Sequence, residues 1–403
     1  MRARLLRGRG LVLGLVVGMC GAAGIGRVTA QDATSAPRVR ARDLGIAVGR
    51  YPTGRYNAIT DVDGVLVGHS TIVRGSGPLV VGQGPVRSGV TAVLPRQDIW
   101  FNGVFAATHT LNGDGEMTGV HWIRDLETLT HPILITSTTS VGAVHDAALA
   151  YITERKPQRT WGFLPVVAET WDGRLNDIQG RHVRREHVFE ALDGARGGAV
   201  PEGNVGGGTG MVCYGFKGGI GTASRRLPPD EGGYTIGVLL QANFGSREQL
   251  TVDGVPVGRE IRDVLPSFPR GDDVDPDHEG SVIVVVATDA PLSSRQLERL
   301  ARRVPLGLAR TGSTSGNTSG DIFIAFSTAN VVAQQHPAKV IDVKLLSTDE
   351  MNPLFAATVE ATEEAVLNAL AAASTMTGVN GNTVYGIPYD RLREVMQRYG
   401  RGR

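Results

Sequence analysis

Glu279-Gly280-Ser281-Val282-Ile283-Val284-Val285-Val286-Ala287 is the stretch on which the fold turns. From Ser281 onward it is a β-branched run with no polar alternation, which predicts a central strand covered on both faces. Ahead of it lies Gly271-Asp272-Asp273-Val274-Asp275-Pro276-Asp277-His278, acidic and proline-containing, which predicts an exposed loop. A serine therefore stands at the mouth of a central strand with glycine before it. No side chain shields the Gly280 carbonyl, so the Ser281 hydroxyl can attack it. An N→O acyl shift followed by hydrolysis would leave Ser281 with a free α-amine. Such an amine titrates at about 7.7–8.0 and can take the hydroxyl proton near neutral pH, so one residue supplies nucleophile and base. Taken alone, the same residues also suit an ordinary turn before a strand.

Outward from this junction, apolar runs with strand character recur at Ala92–Leu94, Pro132–Ser137, Val166–Ala168, Met211–Tyr214, Thr235–Gln241 and Ile322–Ser327. Apolar spacing of three and four predicts helices over Val141–Thr153, Ser293–Val304 and Ala356–Ala373. The last is alanine-rich and carries Glu360, Glu363 and Glu364 towards one side. At 403 residues the chain is long enough for two or three domains of about 150. Yet strands and helices intermix throughout, with no long linker after residue 43 and no tandem repeat. A single layered α/β sandwich over 43–403 fits better than separate modules.

Hydrophobic residues make up 41% and charged residues 20%, which supports a sizeable core and excludes a disordered chain. The 54 glycines are spread through apolar segments, so tight turns and close backbone approaches are expected. An arginine-rich start, the apolar Leu11–Ile25 and then Val28-Thr29-Ala30 predict a signal peptide over 1–30, cut before Gln31. The apolar run is short and glycine-rich for a membrane span; an anchor left uncut is the alternative. The mature chain would be periplasmic or secreted, beginning with a polar, flexible segment over 31–42.

Lys and Arg number 41 against 40 Asp and Glu, but Arg2, Arg4, Arg7, Arg9 and Arg27 lie in the leader. Without them acidic residues outnumber basic ones by about four, which argues against a nucleic-acid partner. Cys213 would be the sole remaining cysteine, so no intrachain disulfide is available, and burial in an apolar strand suits it.

Common catalytic signatures are missing. The nine histidines include no His-Glu-x-x-His pair, and no cysteine pair offers a metal site, so no metal is expected. Gly312-Ser313-Thr314-Ser315-Gly316 has threonine where a nucleophile elbow has serine. Gly203-Asn204-Val205-Gly206-Gly207-Gly208-Thr209-Gly210 lacks the Gly-Lys-Ser/Thr and the following helix of a phosphate loop, which favours a structural turn. Gly215-Phe216-Lys217-Gly218-Gly219-Ile220-Gly221 reads the same way.

Several longer strings, taken in order, carry a resemblance. They include Asn112-Gly113-Asp114-Gly115-Glu116-Met117-Thr118-Gly119, Glu202 to Met211, Phe216 to Thr222, Gln241-Ala242-Asn243-Phe244-Gly245, Ala287-Thr288-Asp289-Ala290-Pro291 and Ser319-Gly320-Asp321-Ile322-Phe323. Across nearly all of Asp43 to Tyr399 the chain resembles the L-aminopeptidase/D-esterase and β-peptidyl aminopeptidase family, the DmpA-type self-processing N-terminal-serine hydrolases. The resemblance implies a four-layer αββα sandwich similar to N-terminal-nucleophile hydrolases. It also implies a cut between Gly280 and Ser281, giving chains 31–280 and 281–403.

By the same resemblance Ser281 is the nucleophile, while Ser319 and Asp321 orient and polarise the serine and its amine. Asp321 is one methylene shorter than the Glu of some relatives. Asn243 matches the oxyanion-hole asparagine, worth several kcal/mol in comparable sites. Glu169 matches the carboxylate that pairs with the substrate's free amine, though on its own it also reads as a surface charge at a strand end. Trp171 stands where several relatives have a tyrosine; an indole donates through nitrogen but has no acidic hydroxyl. Ser313, Ser315 and Asn317 are chemically similar to Ser319, and Asn112 and Glu116 fit pocket lining and turn capping alike.

The expected activity is release of an N-terminal residue from a short peptide, amide or ester, without a cofactor, by a homo-oligomer of two-chain units. Alternatives are an acyltransferase of the ornithine acetyltransferase type, which uses threonine, and a non-catalytic periplasmic solute-binding protein.

Overall fold

The run beginning at Ser281 is the middle of a sheet. Strand β11 (Gly280–Thr288) is buried at every residue. It pairs antiparallel with β10 (Thr235–Phe244) and parallel with β12 (Gly320–Ala333). With β3 (Asn102–Gly113), β4 (Thr128–Leu129) and β9 (Gly219–Arg226) these form a six-stranded sheet in the order β4-β3-β12-β11-β10-β9. The missing polar alternation of β11 has its cause here. Val282, Val284 and Val286 enter one core cluster together with helical residues, while Ile283, Val285 and Ala287 enter another, shared with a second sheet.

That second sheet has β1 (Leu66–Arg74), β2 (Val86–Leu94), β5 (Ile133–Ser137) and β6 (Val166–Thr170) in the order β1-β2-β5-β6. Helices α2 (Val141–Arg155) and α3 (Arg185–Asp193) pack against it through Val144, Ala148 and Ala191. The large sheet carries α5 (Ser294–Ala301), α6 (Val304–Arg310), α7 (Met351–Ala372) and α8 (Tyr389–Arg398) in its own cluster. The layers are helix, sheet, sheet, helix: the αββα sandwich. Short elements complete it: α1 (Val120–Leu126), α4 (Val257–Glu260), the ribbon β7 (Val212–Cys213) with β8 (Phe216–Lys217), and β13 (Met376–Thr377) with β14 (Thr383–Val384). This computed structural model describes residues 39–156, 158, 164–269, 280–333 and 339–402. The signal peptide expected over 1–30 and the loop expected over 271–278 fall outside the described residues.

Two sequence expectations change and one is sharpened. The helix expected over Ser293–Val304 is shorter, ending as α5 at Ala301; after a turn at Arg302 and Arg303 a second helix, α6, starts at Val304 with Pro305 in its first turn. Glu360, Glu363 and Glu364, which the sequence places towards one side of the helix, are all buried: Arg225 contacts Glu360 at 3.3 Å and Glu364 at 2.7 Å, and Arg310 contacts Glu363 at 3.1 Å. Residues 39–42 belong to the folded body, since Arg40 pairs with Glu202 and Arg42 with Glu364, each at 2.7 Å.

The glycine-rich segment is a buried turn, Gly206–Gly210, as its sequence suggests. Thr71 and Thr91 hydroxyls accept its Gly206 and Gly207 N–H groups, which removes donors a phosphate would need. At Gly221, on β9, a Cβ would lie 2.0 Å from the Ala365 carbonyl, so glycine lets α7 sit close on the sheet. Cys213 is buried in β7, and burial raises its thiol pKa, which keeps it protonated and unreactive. Among the described residues no helix is long and apolar enough to cross a membrane.

Candidate active site

Sheet register brings the sequence-predicted residues together at one end of three strands. Ser281 lies opposite Asn243 on β10 and opposite Gly320 on β12. The Gly320 N–H donates to Ser281 Oγ at 3.1 Å. On either side of Gly320, Ser319 Oγ donates to Asp321 Oδ1 at 2.6 Å, and both residues are 1% exposed. This separates Ser319 from its chemical look-alikes: Ser313, Ser315 and Asn317 stay in the preceding loop, where Asn112 Nδ2 donates to the Ser315 and Gly316 carbonyls. Asn112 therefore ties down the loop that leads into β12.

Gly280 has φ +64°, a left-handed conformation that a side chain disfavours. A Cβ there would meet the Asn243 carbonyl oxygen at 1.8 Å and Asn243 Nδ2 at 3.3 Å. Gly280 is thus seated against Asn243. Asn243 Oδ1 accepts the Val212 N–H at 2.9 Å, which fixes the amide and turns Nδ2 towards Gly280. Trp171, half-buried, lines a cavity of about 10 Å³ here with Arg174, Val212, Asn243 and Gly280. That space holds about one water.

Glu169 reaches the same end from β6, in the facing sheet, and is only 3% exposed, so the surface-charge reading is wrong. Its Oε1 accepts the Glu116 N–H at 3.0 Å, and its Oε2 accepts the Thr138 hydroxyl. Burial raises its carboxyl pKa, while those two donors pull it back. Gly115 sits between Glu169 and Gly320: a Cβ on it would lie 3.2 Å from both Glu169 Oε1 and Gly320 Cα. The Asn112–Thr118 turn therefore sets the carboxylate beside the serine strand.

The profile of peptidase family S58 matches residues 57–384. The chain belongs to that family. It is 48% identical over 377 residues to the β-peptidyl aminopeptidase BapA of Sphingosinicella microcystinivorans, covering 92% of this chain and 94% of that one. Among solved structures, a Burkholderia sp. β-aminopeptidase superposes with a TM-score of 0.83 at 46% identity, covering 90% of this chain and 99% of the other. The L-aminopeptidase D-Ala-esterase/amidase of Ochrobactrum anthropi, described as a variant of the Ntn hydrolase fold, gives 0.82 at 47% identity with the same coverage. This S58 member is a hydrolase of the aminopeptidase class, and the acyltransferase and solute-binding alternatives are not favoured.

Sequence reading did not single out the groups that hold these side chains. They are Thr138 and the Glu116 N–H on Glu169, the Val212 N–H on Asn243, and the Gly320 N–H on Ser281. Three of the four are backbone donors, which no residue type announces. Asp172, next to Trp171, was also passed over. Burial pushes its carboxyl up to about 7, and Ser88 and Asn176 donate to it. Among the described residues no group of three or more His, Cys, Asp or Glu is placed to hold a metal.

Proposed function

We propose that the chain cuts itself between Gly280 and Ser281 and then works as an N-terminal-serine aminopeptidase. Ser281 Oγ attacks the Gly280 carbonyl, and the oxygen that becomes negative accepts a hydrogen bond from Asn243 Nδ2. Nitrogen leaves as the Ser281 amine, an ester joins Gly280 to Ser281 Oγ, and water hydrolyses it to a Gly280 carboxylate and a free Ser281. The carrying observation is the seat of Gly280, at φ +64° against an Asn243 whose amide is oriented by the Val212 N–H.

In the mature enzyme Glu169 binds the substrate ammonium. The Ser281 amine takes the Oγ proton as Oγ attacks the substrate carbonyl, and it returns that proton to the departing amine. Water then attacks the acyl-enzyme with the same amine as base. Ser319, bonded to Asp321, orients the amine, and Trp171 shapes the pocket beside the oxyanion. Substrates are short peptides, amides or esters with a free amine. Residues bearing a β-amine are the first choice, since the relative at 48% identity is a β-peptidyl aminopeptidase. The leader exports the chain to the periplasm or beyond, and the two-chain units assemble as a homo-oligomer.

Intact mass and N-terminal sequencing of active enzyme test the cut: two chains are expected, one beginning at Ser281. Ser281→Ala should remain one inactive chain. An active, unsplit wild-type polypeptide overturns the proposal. Aminoacyl p-nitroanilides of L-α, D-α and β type then rank the substrates.

A further inference from the structure

Lys217 is fully buried on β8. Its Nζ donates to the Met211 and Gly218 carbonyls at 2.8 Å each and to the Gly208 carbonyl at 3.3 Å. Three donated bonds require three N–H groups. A neutral amine has two and would turn its lone pair on a third carbonyl oxygen, so the geometry describes the ammonium ion. A buried ammonium costs several kcal/mol unless its hydrogens are satisfied, and here the glycine-rich turn and β8 supply the acceptors.

One of those acceptors matters for the reaction. The carbonyl of Met211 and the N–H of Val212 belong to the same peptide group. Lys217 holds the oxygen end at 2.8 Å, while the nitrogen end donates to Asn243 Oδ1 at 2.9 Å. A positive charge on a peptide oxygen withdraws electrons from its N–H and makes it a stronger donor. Accepting from that N–H in turn makes the Asn243 NH₂ a stronger donor.

We propose that Lys217 is a positioning residue for the oxyanion hole, its charge relayed through the Met211–Val212 peptide to Asn243 Nδ2. The benefit grows as the oxyanion forms, so it falls on kcat more than on KM. The same charge would assist the attack on Gly280, since Asn243 faces that residue too. This inference rests on Asn243 being the oxyanion donor.

The test is a double-mutant cycle on the matured enzyme with an aminoacyl p-nitroanilide substrate. Lys217→Gln keeps neutral N–H donors and removes the charge; kcat should fall on the order of tenfold with KM little changed. Lys217→Arg, which keeps the charge, should recover most of that loss. In an Asn243→Ala background the Lys217→Gln loss should largely vanish, because the charge has no donor left to act through. An unchanged kcat in Asn243→Ala alone overturns the oxyanion reading itself. If Asn243→Ala is slow but Lys217→Gln costs the same factor in both backgrounds, the relay alone is overturned. Should Lys217→Gln fail to fold, the cycle is run with Lys217→Arg: a residual loss that disappears without Asn243 supports the relay, and one that persists overturns it.

Discussion

Two buried polar clusters are built on opposite plans, one under α7 and one around Ser281 and Asn243, whose side chains leave the large sheet on the other face. Under α7, Glu364 accepts from Arg42 at 2.7 and 2.8 Å, from Asn57 at 2.5 Å and from Arg225 at 2.7 Å. Glu360 accepts from Arg225 and from the Tyr51 N–H. At the Ser281 end the groups are held more sparingly: Asn243 has one anchoring bond, from the Val212 N–H to Oδ1, Glu169 has one on each oxygen, and no acceptor among the described residues takes Asn243 Nδ2. The first cluster is saturated and therefore only holds. The second keeps hydrogen-bonding capacity in reserve, and that reserve is what substrate and oxyanion would use.

The saturated cluster also crosses the proposed cut. Arg42, Asn57 and Arg225 precede Gly280; Glu360, Glu364 and Asn368 follow Ser281 and recur every fourth residue on one face of α7. Asn368 joins in by accepting the Ala41 N–H at 3.0 Å and donating to the Thr222 carbonyl at 2.9 Å. Breaking this cluster should have the largest effect on the molecule. Arg225→Met leaves two buried carboxylates short of a cation and should cost about 3–5 kcal/mol in urea unfolding. A loss below about 1 kcal/mol would show that the cluster relaxes into water instead of clamping.

Acid should weaken the same clamp. Burial alone would raise the Glu364 pKa, but Arg42, Arg225 and Asn57 hold it below its ordinary 4.5. A folded-state pKa below the unfolded one contributes stability that is complete above about 4.5 and drains away as the pH falls through the folded value.

The reserve at the other cluster predicts the opposite pattern, lost turnover with little lost stability. Asn243→Ala should lower kcat by roughly 10²–10³ while the unfolding midpoint barely moves. Equal losses in stability and rate would mean that Asn243 serves the sheet more than the oxyanion.

How far the sequence disclosed the two clusters follows from the same difference. Gly280 and Ser281 stand out locally, as a hydroxyl, an unshielded carbonyl and a buried strand adjoin in the chain, but only the family resemblance sets them apart from an ordinary turn. The layered sandwich was legible from β-branched runs between helical patterns. Strands β1, β3 and β9 were not, because Gly68-His69-Ser70, Thr108-His109-Thr110 and Gly219 to Arg226 mix glycine and polar residues; the fold buries Gly68, Ser70 and Gly219 to Arg225, while Thr108 to Thr110 stay partly or fully exposed. The burial of Glu360 and Glu364 was not legible, since their partners, Arg42 and Arg225, are distant in sequence. Ser319 was picked from its neighbours only through the family resemblance; the structure separates it by burial and its bond to Asp321.

Glu169 tests whether the reserve includes charge. If its carboxylate meets the substrate ammonium, Glu169→Gln should cut kcat/KM for free amines by about 10–100-fold, mostly through KM. It should also erase much of the preference over N-acetylated substrates. An unchanged preference would remove Glu169 from amine recognition.

The smallest effect expected is also the most specific. Only ionised Glu169 attracts an ammonium, and burial raises its pKa, so kcat/KM should fall with acid at a pH above the ordinary carboxylate value of 4.5. The Thr138 hydroxyl opposes that rise by bonding the charged form. Thr138→Val keeps the shape and removes the donor, which should move the acid limb upward by about one pH unit, the low end for one hydrogen bond to a charged group. Thr138→Ser should restore it. The two oxygens of Glu169 are held by different means, a side chain on Oε2 and a backbone N–H on Oε1, so only the first can be removed by substitution. If Thr138→Val leaves the limb in place while Glu169→Gln flattens it, the Glu116 N–H alone sets the charge, and the loop from Asn112 to Thr118 rather than Thr138 controls the pH dependence.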